Sequence, residues 1–281
     1  MYTRRRSCGM TLKRHVRDVA RAMSGALLRI AREPLDDYFA AIDRLRDARV
    51  GIIGAFAQAL VAIVATWFAY VPVHELLHAW GCLVAGGSVT RLDIAPEYGG
   101  RWLATIFPYV RSGSEYAGQL SGFDTHGSDL TYLSTVLAPY LLTMLIGVPL
   151  LKWAGGSAGV SMRARPVLLG VAIVLAYAPI ISLTGDYYEA GSIVVTRAAQ
   201  SVDSTVPLAR WRSDDLPKLV SSLHSSGATI GDWIGVAISS LTGLLFAWLT
   251  YRVGGLLFSV ARRFLGTGPT ISDSPSRHDN S

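Results

Sequence analysis

Residues 51–87, GIIGAFAQALVAIVATWFAYVPVHELLHAWGCLVAGG, form an almost unbroken apolar run of membrane-helix length, interrupted by one compact polar group, His74-Glu75-Leu76-Leu77-His78. On a helix, residues four apart share a face, so His74 and His78 can present imidazole nitrogens to one tetrahedral metal ion. Glu75 lies one residue along, placed to act as a base on water beside that ion without being a ligand. Ionisable groups at hydrocarbon depth cost about 2.5–3.5 kcal/mol per charge on the insertion scale, so they need a partner or a use. Zinc binding, at about 10–16 kcal/mol in structural sites, offsets such a cost. The plain alternative is a helix end at the membrane surface, with both imidazoles satisfied by water or carbonyls.

The surrounding composition points the same way. Of 281 residues, 51% are hydrophobic and only 16% charged, and mean hydropathy is positive, which excludes an ordinary soluble domain. Four segments, 52–83, 130–153, 166–183 and 230–251, are long enough to cross a bilayer. The expected fold is therefore an all-α polytopic membrane protein with about four transmembrane helices. The first segment exceeds a simple span, and its excess must be tilt, an extension beyond the bilayer, or a break at Pro72. Asp232 at the start of the fourth suits a helix N-terminus. Cys8 and Cys82 stand far from any paired spacing, and no disulfide framework is expected. The first strongly apolar stretch begins too late and runs too long for a cleavable signal peptide, so insertion through the chain's own spans is expected.

Three regions follow from the pattern. Residues 1–49 carry Arg4, Arg5, Arg6, Lys13, Arg14, Arg17 and Arg21 interleaved with Val16, Val19, Met23, Leu27 and Ile30. That is a basic amphipathic arm suited to an anionic leaflet, and the apolar face argues for lipid over nucleic acid as its partner. A second short helix is expected at 35–50. Residues 50–263 form the membrane-embedded body, and the Pro- and Ser-containing tail at 264–281 has the composition of disorder. Basic residues cluster in the arm, in 152–165 and in 252–263, which predicts an integral, multi-pass protein of a bacterial cytoplasmic membrane with both termini cytoplasmic. His74 and His78 then lie toward the outer side.

Between the first and second spans, residues 86–128 are rich in Gly, Ser and Tyr, with alternation at 89–94 and again near 102–109, which predicts a short β-hairpin. It reads either as an ordinary loop or as a sheet edge that holds an extended substrate. Asp124, His126 and Asp129 form a second group of potential ligands, better read as a solvated turn among Gly and Ser. A catalytic zinc needs a third protein ligand. The candidates are Asp186 and Glu189 in Leu183-Thr184-Gly185-Asp186-Tyr187-Tyr188-Glu189, three apart on one helix side. Asp186 is preferred because it adjoins the third span and Gly185 would let its backbone approach the first helix. Tyr187 and Tyr188 read as interfacial anchors or oxyanion donors. An amphipathic helix is expected from Leu216 onward.

The HELLH motif in a membrane helix, the Gly86-Gly87 turn after it, the strand-like stretch and the aspartate ending a later span together resemble the site-2 protease family of intramembrane zinc metalloproteases. The resemblance covers roughly residues 65–191 and is specific at HELLH. It implies zinc bound by His74, His78 and Asp186, with Glu75 as the catalytic base, and peptide bonds of membrane-protein substrates as the target. The chain departs from the family where Thr184 and Gly185 precede Asp186 and Tyr187 follows it in place of the usual Gly. Leu137-Ala138-Pro139-Tyr140 is similar to the family's Ala-Gly-Pro packing motif. An outward-facing site would also differ from the family's usual placement near the cytosol. Two other classes share these residues: a catalytically silent relative that binds membrane helices, and an ion or solute transporter using the same groups as a path.

Overall fold

The computed structural model describes residues 32–47, 51–114, 116–156 and 161–264. The basic part of the N-terminal arm (4–30) and the tail beyond Phe264 lie outside them. Helix α1 (32–43) runs into a 3-10 turn at Arg44–Asp47, the short helix expected there. Then α2, Gly51–Val84, carries His74, Glu75 and His78. A small sheet region follows, with β1 Ser88–Ile94, α3 Gly100–Ile106, β2 Val110–Ser112 and β3 Gly118–Asp124. The chain continues with α4 Asp129–Leu137, α5 Val148–Gly155, α6 Arg165–Ile181, α7 Asp186–Val202, α8 Leu216–Ser226 and α9 Ile230–Phe264. A 3-10 turn at Ala138–Tyr140 and a π-turn at Thr143–Gly147 join α4 to α5 into one long rod.

Four helical segments are long and apolar enough to cross a membrane: Gly51–Val84, Asp129–Gly155, Arg165–Thr184 and Ile230–Phe264. This is a mostly helical, multi-pass membrane architecture, with the small sheet between the first and second long helices. Helix α2 passes through Pro72 without a break. Its 34 residues extend about 50 Å at 1.5 Å each, against a hydrocarbon core of about 30 Å. The excess is therefore tilt or extension, and the expected alternative of a break is removed.

The sheet is mixed, in the order β2-β1-β3. β1 pairs parallel with β2, Leu92 opposite Val110, and antiparallel with β3, Ser88 opposite Asp124 and Ile94 opposite Gly118. The strand expected at 89–94 is present. The stretch 102–109, read as its hairpin partner, is mostly helix α3 instead. Its apolar residues are too few to separate a helical from a strand period, and tertiary packing decides: Leu103 joins Leu92, Ile94, Val110 and Ala79 in one buried cluster. The pairing on the other side of β1 falls to β3, which leaves β3 as an outer strand.

Close helix packing in lipid is achieved by small residues, since apolar side chains gain nothing from leaving an apolar solvent. A Cβ on Gly81 would collide with Ala138 and the Ser134 carbonyl of the second rod, and Cβ atoms on Gly191 and Gly243 would collide with backbone across the α7–α9 seam.

At the opposite end of α2 from the motif, α1 is clamped onto the body. Lys152 Nζ donates to Asp37 Oδ2 at 2.6 Å and to Glu33 Oε1 at 2.9 Å. Tyr251 donates to Asp37 at 2.7 Å and Tyr177 to the Pro34 carbonyl at 2.6 Å, while Arg252 also reaches Glu33. Burial opposes ionisation of Glu33, but Lys152 and Arg252 outweigh it and hold its carboxyl below the usual 4.5. A depressed carboxylate stabilises the folded form above its unfolded pKa, so the contribution of Glu33 to the docking of α1 is fully present above about pH 4.5 and is lost as pH falls through its lower folded value. Lys152→Ala leaves two half-buried carboxylates without their shared cation. We expect a loss of about 2 kcal/mol, read as a lower unfolding midpoint in detergent and faster proteolysis between α1 and α2.

Candidate metal centre

His74 and His78 stand on one face of α2, and Asp186 opens α7. Tertiary packing brings the start of α7 to this face of α2, with one donor atom from each of the three side chains lying within 4.8 Å of the others. His74 Nε2 is 3.0 Å from His78 Nε2 and 3.2 Å from Asp186 Oδ2, and His78 Nε2 is 3.6 Å from that same oxygen. Ligand pairs around a tetrahedral zinc with bonds of about 2.05 Å stand about 3.3 Å apart, so the observed triangle has the size such an ion requires. Both imidazoles are buried.

The outer contacts fix which atoms face inward. His78 Nδ1 is 2.8 Å from the Thr135 carbonyl; a carbonyl only accepts, so Nδ1 carries the proton and Nε2 keeps its lone pair. His74 Nδ1 is held at 2.7 Å by the Tyr70 hydroxyl. Tyr140 donates to Asp186 Oδ2 at 2.6 Å. Each donor is thus oriented by a second residue, as metal ligands usually are. Two ring nitrogens and a carboxylate aimed at one point repel each other unless a cation sits between them, and a divalent metal suits this donor set.

Glu75 lines the cleft beside the group, with His78, Asp186, Gly118, Leu120 and Phe123 among its walls. A Cβ on Gly118 would collide with the Glu75 side chain, so the start of β3 passes directly over the carboxylate because that residue is glycine. A second cleft opens on the other side of Glu75 and Asp186, toward Trp67, Tyr70 and Ile181. Above both, Asp214 accepts from Gln119 Nε2 at 3.2 Å, joining β3 to the loop before α8.

Of the candidate third ligands, Asp186 enters the triangle and Glu189 does not. Glu189 accepts from the Tyr132 hydroxyl at 2.5 Å and faces the first cleft; burial pushes its carboxyl up to about 7. A Cβ on Gly185 would face the Asp214 carbonyl at 3.4 Å and meet no atom of α2. Tyr187 and Tyr188 are buried rather than interfacial. Their hydroxyls donate to Thr250 and to the Trp211 carbonyl, so neither is available to an oxyanion. Asp124 and His126 form the exposed turn expected, with His126 at positive φ, whereas Asp129 is taken by Arg197 and Arg212. Tyr70, Thr135 and Tyr140 were not anticipated. Tyr70 sits one turn before His74, the only local signal among them, while Thr135 and Tyr140 arrive by tertiary packing. Comparison with family models, with curated proteins and with solved structures found no match.

Proposed function

We propose that the chain is a membrane-embedded zinc metalloprotease of the site-2 protease kind, hydrolysing peptide bonds of membrane-protein substrates. The observation that carries this reading is the convergence of His74, His78 and Asp186 with Glu75 lining the same cleft. Tyr70, Thr135 and Tyr140 keep the three ligands aimed at one point, and zinc, when bound there, supplies Lewis acidity toward a carbonyl and toward water. Glu75 accepts the proton of the attacking water and returns it to the leaving amine. The start of β3, which passes over Glu75 at Gly118, limits the access of bulk water to that exchange. The outer edge of β3, which has no partner strand among the described residues, offers main-chain donors and acceptors to an extended substrate. A transmembrane substrate must unwind locally to present such a strand, which favours helix-weak residues near the cut. Cytoplasmic termini, an outward site and an arm on anionic lipid complete the proposal.

Glu75→Gln tests it on the purified full chain in nanodiscs. We expect one zinc per chain by elemental analysis in both forms, with cleavage of single-span reporter proteins reduced by about 10²–10⁴-fold. Zinc without cleavage by the unaltered chain points to a helix-binding relative; ion flux in liposomes without hydrolysis points to a transporter.

A further inference from the structure

The cleft beside Glu75 is lined by three carboxylates that neither metal binding nor proton transfer uses, Glu189, Asp214 and Asp215, of which Asp214 accepts from Gln119 and Asp215 caps α8. The cleft holds about 220 Å³, is walled by Leu120, Phe123 and Val136, and contains Glu189. Among the described residues one oxygen of Glu189 is engaged, by the neutral Tyr132 hydroxyl at 2.5 Å, and Tyr132 is itself braced edge-on by Phe123 at 5.6 Å between ring centres. Two arginines of this region pair with a different carboxylate. Arg212 and Arg197 each pair with Asp129, at 2.9 and 2.5 Å, and the Arg212 guanidinium lies over Tyr132 at 5.7 Å. Among the described residues Glu189 has no ion pair, and Asp214 on the far lip adds charge of the same sign.

A narrow space with an apolar part, Leu120, Phe123 and Val136, beside a carboxylate that has no cationic partner among the described residues is complementary to a long side chain with an apolar stem and a cationic head. Resting on the protease reading above, we propose that Glu189 is a specificity-determining residue, selecting substrates with a lysine or arginine next to the scissile bond. The stem lies against Leu120, Phe123 and Val136, and the head takes the free Glu189 oxygen. Acidic side chains are rejected by the same field.

The test measures binding to the zinc-loaded full chain in phosphatidylcholine nanodiscs, using the hydroxamates of N-acetyl-lysine, N-acetylnorleucine and N-acetylglutamate. The lysine probe is expected to bind about tenfold tighter than norleucine, the scale of one charge-assisted hydrogen bond, with the glutamate probe weakest. In Glu189→Gln, which retains its zinc, the lysine advantage closes to under twofold. Equal binding of lysine and norleucine probes, or an advantage that survives Glu189→Gln, overturns the proposal. Should Glu189→Gln lose its zinc, Glu189→Asp takes its place, and the advantage is expected to shrink because the charge is withdrawn from the space. Non-chelating seven-residue peptides with a central lysine or norleucine form a second arm. If no hydroxamate binds and the protein holds no zinc, the protease reading fails, and these peptides decide separately: a Glu189-dependent lysine advantage upholds the cation pocket, and equal binding ends it.

Discussion

Asp186→Ala is expected to empty the metal centre, while Glu189→Ala leaves it loaded. The two carboxylates are three residues apart on α7, and composition alone does not distinguish them. Geometry does: Asp186 Oδ2 stands 3.2 and 3.6 Å from the two Nε2 atoms, whereas Glu189 is turned to Tyr132. Losing Asp186 leaves two neutral imidazoles, too few to hold zinc against water in a tetrahedral site. Zinc affinity should fall by more than the roughly 10–100-fold that loss of an orienting contact costs. Tyr140→Phe, which removes such a contact at Asp186, should fall within that smaller range. Competition with a fluorescent chelator separates the three variants. Retention of zinc by Asp186→Ala together with its loss in Glu189→Ala would reassign the third ligand.

Gly243→Val is expected to disable the same centre from a distance. A Cβ at residue 243 would collide with the Tyr187 carbonyl, and one at residue 191 with the Ser239 carbonyl. These glycines let α7 and α9 pack backbone to backbone, one residue from Asp186. Overpacking costs typically about 1–3 kcal/mol, and the relief available is to move α7 outward. That movement draws Asp186 away from α2, so unfolding midpoint and zinc affinity should fall together, the latter by about 10–100-fold. Leu244→Val, next along and 52% exposed on the outer face of α9, should change neither. Full zinc occupancy in Gly243→Val would mean that the seam does not position Asp186.

Much of the architecture is legible in the chain because lipid imposes a simple rule: backbone groups must bond within a segment, so long apolar runs become helices. The four spans, the first strand, the short helix before the first span and the helix from Leu216 follow from such local patterns. The pairing of His74 with His78 is equally local, set by four residues of helical rise. The stretch 102–109 was less legible because a short apolar run fits two periods, and its neighbours settle which one wins. The burial of Tyr187 and Tyr188 was hidden for a related reason: aromatic residues near a span end suit an interface equally well, and only the packing of α9 and the Trp211 loop encloses them.

What the sequence determined by itself was a membrane protein with two imidazoles on one helical face and a carboxylate, Glu75, one residue from the first. Which carboxylate completes them, which hydroxyls and carbonyl orient them, and which strand covers Glu75 were decided only by tertiary structure. Tyr140 lies 46 residues from Asp186 and Thr135 57 from His78 along the chain, and such separations leave no local periodicity to read. They meet because glycines at helix crossings remove the side chains that would keep the backbones apart.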